Sequence, residues 1–237
     1  MSICHSKVIV ALDFDNESKV DELVSQLNPR DCRLKVGKEL FTYFGPPLVK
    51  RLVNAGFDVF LDLKFHDIPN TVAKACLAAA DMGVWMVNVH ASGGEKMMNH
   101  ANNELHKHFD APPKLIAVTV LTSMDQQQLN GVIDSVTIEQ QVIKLARLTD
   151  SAGLDGVVCS AMEAQTLRQH LGSQFELVTP GIRPKGSAID DQTRIVTPTD
   201  AVGYGVNYMV IGRPITKSND PVATLKEINE EVKKAGN

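Results

Sequence analysis

The sequence has four cysteines, Cys4, Cys32, Cys76 and Cys159, and no C-x-x-C pair among them. That scatter excludes the close ligand pairs of a structural zinc site and the framework of a disulfide-stapled fold. It suits thiols buried in a reducing compartment. Positive charge is also in short supply: 24 Lys and Arg face 28 Asp and Glu, for a net charge of −4 and a pI near 6.0. A nucleic-acid binder held by phosphate neutralisation is thereby disfavoured, whereas a small anionic ligand in a local basic pocket is not. Long apolar runs are absent as well, since no segment approaches the roughly 18 apolar residues of a membrane span. The apolar part of MSICHSKVIVALDF is too short, and too soon broken by Asp13, for a secretory signal. The expectation is a cytoplasmic protein with neither a membrane nor a nucleic-acid partner. With no low-complexity segment, charge block or linker, 237 residues at 43% hydrophobic content are expected to form one domain over 1–237.

What is present is an alternation. Eight short β-branched runs, at 7–14, 32–37, 58–65, 85–91, 114–122, 156–161, 176–182 and 208–215, read as strands. Between them, apolar residues recur at three- and four-residue intervals over 17–27, 46–55, 71–82, 95–108, 138–152, 162–171 and 220–234, which reads as helix. Near-continuous apolar strands are buried on both faces, and a parallel sheet flanked by helices buries both. Eight βα units at this length indicate an α/β fold, a (β/α)8 barrel, with an open doubly wound sheet as the alternative. The stretch RPKGSAIDDQTRIVTPTDAVGYG fits helix only near 198–203, so 183–195 is expected to be a functional loop.

In such a barrel the C-terminal strand ends surround one mouth. Asp13 ends the first strand, Lys35 lies on the second, Asp62, Lys64 and Asp67 on or just after the third, and Thr122 ends the fifth. Period-two alternation sends Asp62 and Lys64 to one face and Leu63 and Phe65 to the other, toward the helices. The charged pair therefore points inward, where a lone charge is costly. Two unit charges about 4 Å apart attract by about 4 kcal/mol at an effective dielectric near 20, so acid and base belong together. A pure ion-pair network would need fewer groups than this rim carries, and titratable groups clustered in a cleft point to proton transfer or charge stabilisation. A lysine held between carboxylates stays protonated, which assigns Lys64 as a general acid rather than a Schiff-base former.

A second constellation lies near the C-terminus, where TPGIRPKGS follows the seventh strand and IGRPI the eighth. Loops at these places commonly bind phosphate, because glycine admits the anion to backbone N–H groups and arginine offers a two-pronged donor. Gly212 and Arg213 are the candidates, and a phosphorylated substrate follows.

Taken together these residues resemble the orotidine 5′-phosphate decarboxylase family, in its bacterial branch, over nearly the whole chain. The hallmark D-x-K-x-x-D-I-P-N-T stands here as Asp62, Lys64, Asp67, Ile68, Pro69, Asn70 and Thr71. Further matches are LDF with Asp13, LKVGKELF with Lys35, VNVHASGG, VTVLTSM with Thr122, TPGIRP with Pro180 and Arg183, Gln192, and IGRPI with Gly212 and Arg213. The resemblance implies loss of the pyrimidine carboxylate of orotidine 5′-monophosphate as carbon dioxide, giving uridine 5′-monophosphate (UMP) without a metal or organic cofactor. It implies that Lys64 protonates the resulting carbanion and that Asp62 lies against the departing carboxylate. Asp13 and Lys35 would bind ribose hydroxyls and orient Lys64. Asp67 and Thr71 would reach the neighbouring site of a homodimer, and Ile68 and Asn70 of the same motif would bind substrate. Gln192, Gly212 and Arg213 would hold the phosphate, with Arg183 at the closing loop and Thr122 near the pyrimidine.

Other conspicuous residues have plainer readings. His66 and His90 lack ligand-like spacing for a metal, Ser92-Gly93-Gly94 reads as a helix-start turn, and Cys159, Met97 and Met98 read as packing. Two rival functions remain: a 3-keto-gulonate-6-phosphate decarboxylase-like enzyme, which shares D-x-K-x-x-D but uses magnesium, and a non-catalytic barrel that only binds a phosphorylated ligand.

Overall fold

A computed structural model describes residues 4–184 and 196–236. Its eight strands are β1 Val8–Ala11, β2 Arg33–Gly37, β3 Val59–Phe65, β4 Met86–His90, β5 Lys114–Val118, β6 Gly156–Val158, β7 Glu176–Pro180 and β8 Tyr208–Ile211. They pair in parallel in sequence order, and β8 returns to β1 to close the barrel. The open-sheet alternative is therefore excluded. Helices α1 Glu17–Val24, α2 Lys38–Asn54, α3 Pro69–Ala80, α4 Glu95–His108 and α5 Gln126–Asn130 belong to the first half. Helices α6 Ile138–Ser151, α7 Ala161–His170, α8 Pro198–Gly203, α9 Arg213–Thr216 and α10 Pro221–Ala235 complete the described chain.

Alternation along each strand divides the core in two. Val8, Val10, Leu34, Val36, Val59, Leu61, Val87 and Val89 face outward and pack against the helices. Ile9, Ala11, Phe60, Met86, Ile116, Val178 and Val210 face inward and fill the middle of the barrel. Charged side chains sit above and below this apolar plug. The tight spot is Gly156 on β6, where a Cβ would lie 2.1 Å from the Glu176 carbonyl oxygen, so only glycine lets β7 approach.

Strand ends differ from the sequence reading in instructive ways. The fifth strand stops at Val118 rather than 122, the sixth at Val158, and the eighth at Ile211, with Arg213 opening α9. Beyond these points, among the described residues, only single backbone bonds reach the next strand, as from Thr119 to Val158 at 3.3 Å. On the eighth, Gly212 and Pro214 disfavour strand, and Pro214 suits the first turn of a helix. Helix α2 begins eight residues earlier than position 46 and breaks at Gly45 (φ 57°) ahead of Pro46 and Pro47. The two prolines mark where its second half restarts. Helices α6 and α7 start with reciprocal caps, Thr137 with Gln140 and Ser160 with Glu163. Ser92 and Gly93 form a 3-10 turn before α4, while Cys159, Met97 and Met98 are buried core residues.

Candidate active site

Strand register brings the first acids and bases to one level. Ala11 of β1 pairs with Lys35 of β2, and Gly37 pairs with Asp62 of β3, so Lys35 projects inward between the β1 and β3 ends. Its ammonium lies 3.1 Å from Asp13 Oδ1 and 3.5 Å from Asp62 Oδ2. The other Asp62 oxygen, Oδ1, accepts a hydrogen bond from Lys64 Nζ at 2.5 Å. The result is an alternating row, Asp13–Lys35–Asp62–Lys64, that runs from half-open to buried and out again. Side-chain exposure is 66% for Asp13, 11% for Lys35, 12% for Asp62 and 25% for Lys64.

The row keeps its inner members ionised. Burial is the largest influence on Lys35 and works against its charge, but Asp62 and Asp13 together outweigh it and hold the ammonium above the ordinary lysine range. Burial likewise pushes Asp62 up, and Lys35, Lys64 and the hydrogen bonds from Lys64 and Asn88 bring it below the ordinary carboxylate range. The sequence reading placed Lys64 between two carboxylates. In this chain that position belongs to Lys35, and among the described residues Lys64 has an ion pair with Asp62 only.

Asp62 and Lys64 do share the mouth, but through an irregular strand. From Leu61 to Phe65, β3 advances four residues while β4 advances two, from Val87 to Val89. Lys64 takes the left-handed region at φ 54°, a conformation uncommon for residues other than glycine. Its backbone N–H donates to Asn88 Oδ1 at 2.8 Å, and Asn88 Nδ2 donates to Asp62 Oδ1 at 2.7 Å. Asn88 escaped the sequence reading. The signal was an inward polar position on β4 between Met86 and His90, in a run whose other residues explain themselves as core.

A pocket of about 290 Å³ opens above the plug. Phe60, Val158 and Val210 form its apolar floor, and Asp13, Lys35, Asp62 and Lys64 line one side. Thr122, Pro180, Arg183, Gly212 and Arg213 line it as well, and the β7 and β8 ends place these last four together. Arg183 is buried, with Nη1 donating to the Ile182 carbonyl at 3.1 Å. Its backbone N–H donates to the Val196 carbonyl at 3.0 Å, so an Ile182–Val196 bridge ties the two stems of the 183–195 segment. Gln192 and most of that expected loop lie outside the described residues.

Four expected site residues do not join the pocket of their own chain. Asp67 and Ile68 before α3 and Asn70 and Thr71 in its first turn are exposed, and Asp67 Oδ1 accepts from the Ile68 N–H at 2.6 Å. His66 and His90 meet near the rim in a tilted pair with ring centroids 5.5 Å apart. Burial, then the neighbouring charges of His66, Lys38 and Lys64, lowers the His90 pKa.

The arrangement fits an elongated anion with two charged ends. Arginines stand on the β7–β8 side, two ammonium groups on the β2–β3 side, and dry apolar surface lies between. Negative charge developing beside Lys64 would be stabilised by groups already oriented and partly shielded from water.

Comparison with known proteins points the same way. Residues 6–228 match the family described as orotidine 5′-phosphate decarboxylase / HUMPS. The chain is 61% identical over 226 residues to orotidine 5′-phosphate decarboxylase of Pseudoalteromonas atlantica, covering 95% of this chain and 98% of that one. It is 57% identical over 233 residues to the protein of the same name from Salmonella typhimurium, covering 98% and 95% respectively. The crystal structure of orotidine 5′-phosphate decarboxylase from Lactobacillus acidophilus superposes with a TM-score of 0.86 at 40% identity, covering 96% of this chain and 99% of that one.

Proposed function

The chain belongs to the orotidine 5′-phosphate decarboxylase / HUMPS family, and from that premise we infer that it converts orotidine 5′-monophosphate to UMP and carbon dioxide. This is the last step of de novo pyrimidine synthesis. The observation that carries the reading is Lys64 Nζ held 2.5 Å from Asp62 Oδ1 at the edge of an apolar floor, across the pocket from Arg183 and Arg213.

Gln192, Gly212 and Arg213 hold the phosphate, with Arg183 at the start of the closing loop. The pyrimidine lies over Phe60, Val158 and Val210, near Thr122 and Pro180, and the ribose hydroxyls meet Asp13 and Lys35. The C6–carboxylate bond breaks so that its electron pair stays on C6 and carbon dioxide departs. The Lys64 ammonium stabilises that pair and transfers its proton to C6, leaving a neutral lysine that solvent reprotonates. Asp62, kept ionised by Lys35 and Lys64, sits against the substrate carboxylate and loses that repulsion as charge moves onto the ring. Energy from phosphate contacts, remote from the breaking bond, supports closure over the site.

The same reading treats 1–237 as one barrel domain working in the cytoplasm. It makes the active form a homodimer in which Asp67 and Thr71 of one protomer, flanked by Ile68 and Asn70, complete the site of the other. Their exposure supports this, with the apolar Ile68 between them 66% exposed. Among the described residues, no helix is long and apolar enough to cross a membrane.

The experiment is to follow ultraviolet absorbance as purified protein meets orotidine 5′-monophosphate in excess EDTA. Steady loss of the substrate band is expected. No loss would sink the reaction, and loss that needs added magnesium would favour the metal-using relative.

A further inference from the structure

Asn88 is fully buried and sits at the centre of β4, at 0% exposure, yet its carboxamide serves β3 rather than its own strand's ladder. The slip between Leu61 and Phe65 takes residues 62–64 out of register with β4. The Lys64 N–H thereby needs an acceptor from elsewhere, since a buried backbone donor left unpaired is costly. Asn88 Oδ1 supplies it at 2.8 Å, at the residue whose φ of 54° requires outside support. The other end of the carboxamide donates at 2.7 Å to Asp62 Oδ1, the oxygen that also accepts from Lys64 Nζ. With Oδ1 so fixed, Oδ2 turns to Lys35 at 3.5 Å.

We propose that Asn88 is the positioning residue of the acid: one carboxamide holds both the Lys64 backbone and the Asp62 carboxylate, and thereby aims Nζ into the pocket. This rests on the decarboxylation reading above. The polarity of the group is forced. A backbone N–H can only donate, so oxygen must face Lys64; an ionised carboxylate can only accept, so nitrogen must face Asp62. No apolar side chain satisfies either contact. An aspartate of the same shape satisfies the first and repels the second unless it is protonated. Without the clamp, Asp62 is free to rotate about its side chain and carry the lysine with it, away from the carbon that receives the proton.

The test compares wild type, Asn88→Leu and Asn88→Asp for turnover, for UMP affinity and for thermal unfolding. Asn88→Leu, which keeps the branched skeleton but can neither donate nor accept a hydrogen bond, is expected to lower kcat by about 100-fold, the cost of a misplaced catalytic group. UMP affinity, set by phosphate and ribose, should stay within about threefold. For Asn88→Asp, activity relative to wild type should rise at least about tenfold between about pH 8 and pH 5, as the introduced carboxyl gains a proton and donates to Asp62 again. That acid-side recovery is a signature that general loosening of the barrel would not give, and it decides the matter if Asn88→Leu fails to fold. A kcat for folded Asn88→Leu close to wild type, UMP affinity falling in step with kcat, or a flat pH ratio for Asn88→Asp would overturn the inference. An inactive wild type would remove the decarboxylation reading itself, whereas an active wild type with unaffected variants removes only the role of Asn88.

Discussion

The two ends of the barrel use the same materials to opposite effect. Strand β2 sends one cation to each end, with Arg33 at the N-terminal end and Lys35 two residues later at the mouth. At the N-terminal end the Arg33 guanidinium lies 4.5 Å from the Trp85 ring and 5.0 Å from the Tyr208 ring, and its Nε lies 3.2 Å from Asp58. Its remaining donors reach the carbonyls of Ser6 and Cys4, and Lys114 pairs with Glu176 at 2.7 Å nearby. Both terminal nitrogens of Arg33 donate to backbone carbonyls, Nε pairs with the Asp58 carboxylate by charge, and two aromatic rings flank the guanidinium, so the end is closed. At the mouth the pairs are just as short, but Lys64 and Asp13 remain partly open to a pocket. Buried charge alone therefore does not identify a site. Charge whose outer members still face a cavity does.

The largest break in that comparison is expected at the mouth. Lys64→Ala should lower decarboxylation on the order of 10⁴-fold or more, since it removes proton donor and electrostatic partner at once. Circular dichroism and melting should show the fold intact, and near wild-type turnover would refute the assignment.

The closed end should respond in stability instead. Arg33→Ala removes a buried ion pair with Asp58 and two backbone hydrogen bonds, and should cost about 3–5 kcal/mol in urea unfolding. Its kcat under native conditions should stay close to wild type. A large kcat defect with normal stability would mean that this end takes part in the chemistry.

A smaller effect separates the two sides of the pocket. Arg213→Ala should raise KM by about 10- to 100-fold, the worth of one charge-assisted contact to phosphate. The advantage of orotidine 5′-monophosphate over orotidine lacking the phosphate should shrink with it. An unchanged preference would place the phosphate elsewhere.

The smallest expected effect is a pH dependence at the rim. The folded state holds His90 at a lowered pKa, chiefly by burial and then by His66, Lys38 and Lys64. Below the unfolded value of about 6.5 the unfolded chain binds more protons, so stability present above that pH is lost as pH falls through the folded value. Melting temperature should decline over that acid window, and His90→Gln should flatten the decline. A steeper decline in the variant would reverse the sign of the argument.

Much of the candidate pocket was legible because charged residues on apolar strands have few places to go. Asp13, Lys35, Asp62, Lys64, Thr122, Pro180, Arg183, Gly212 and Arg213 all line one pocket. Asn88 was not legible, since an asparagine within a strand gives no sign of which backbone it will serve across a register slip. Nor was Arg33, whose role depends on Trp85 and Tyr208, far apart in sequence and brought edge to face only by barrel closure.

The sequence by itself determined the alternation of strands and helices, the inward face of each strand and the rim where opposite charges collect. Periodicity and the cost of burying an unpaired charge act along the chain and can be read along it. Only the tertiary structure decided that Lys35 rather than Lys64 lies between two carboxylates, that β3 slips against β4, and that Asn88 bridges the slip. Those outcomes depend on distances between strands, which exist only once β8 has closed against β1.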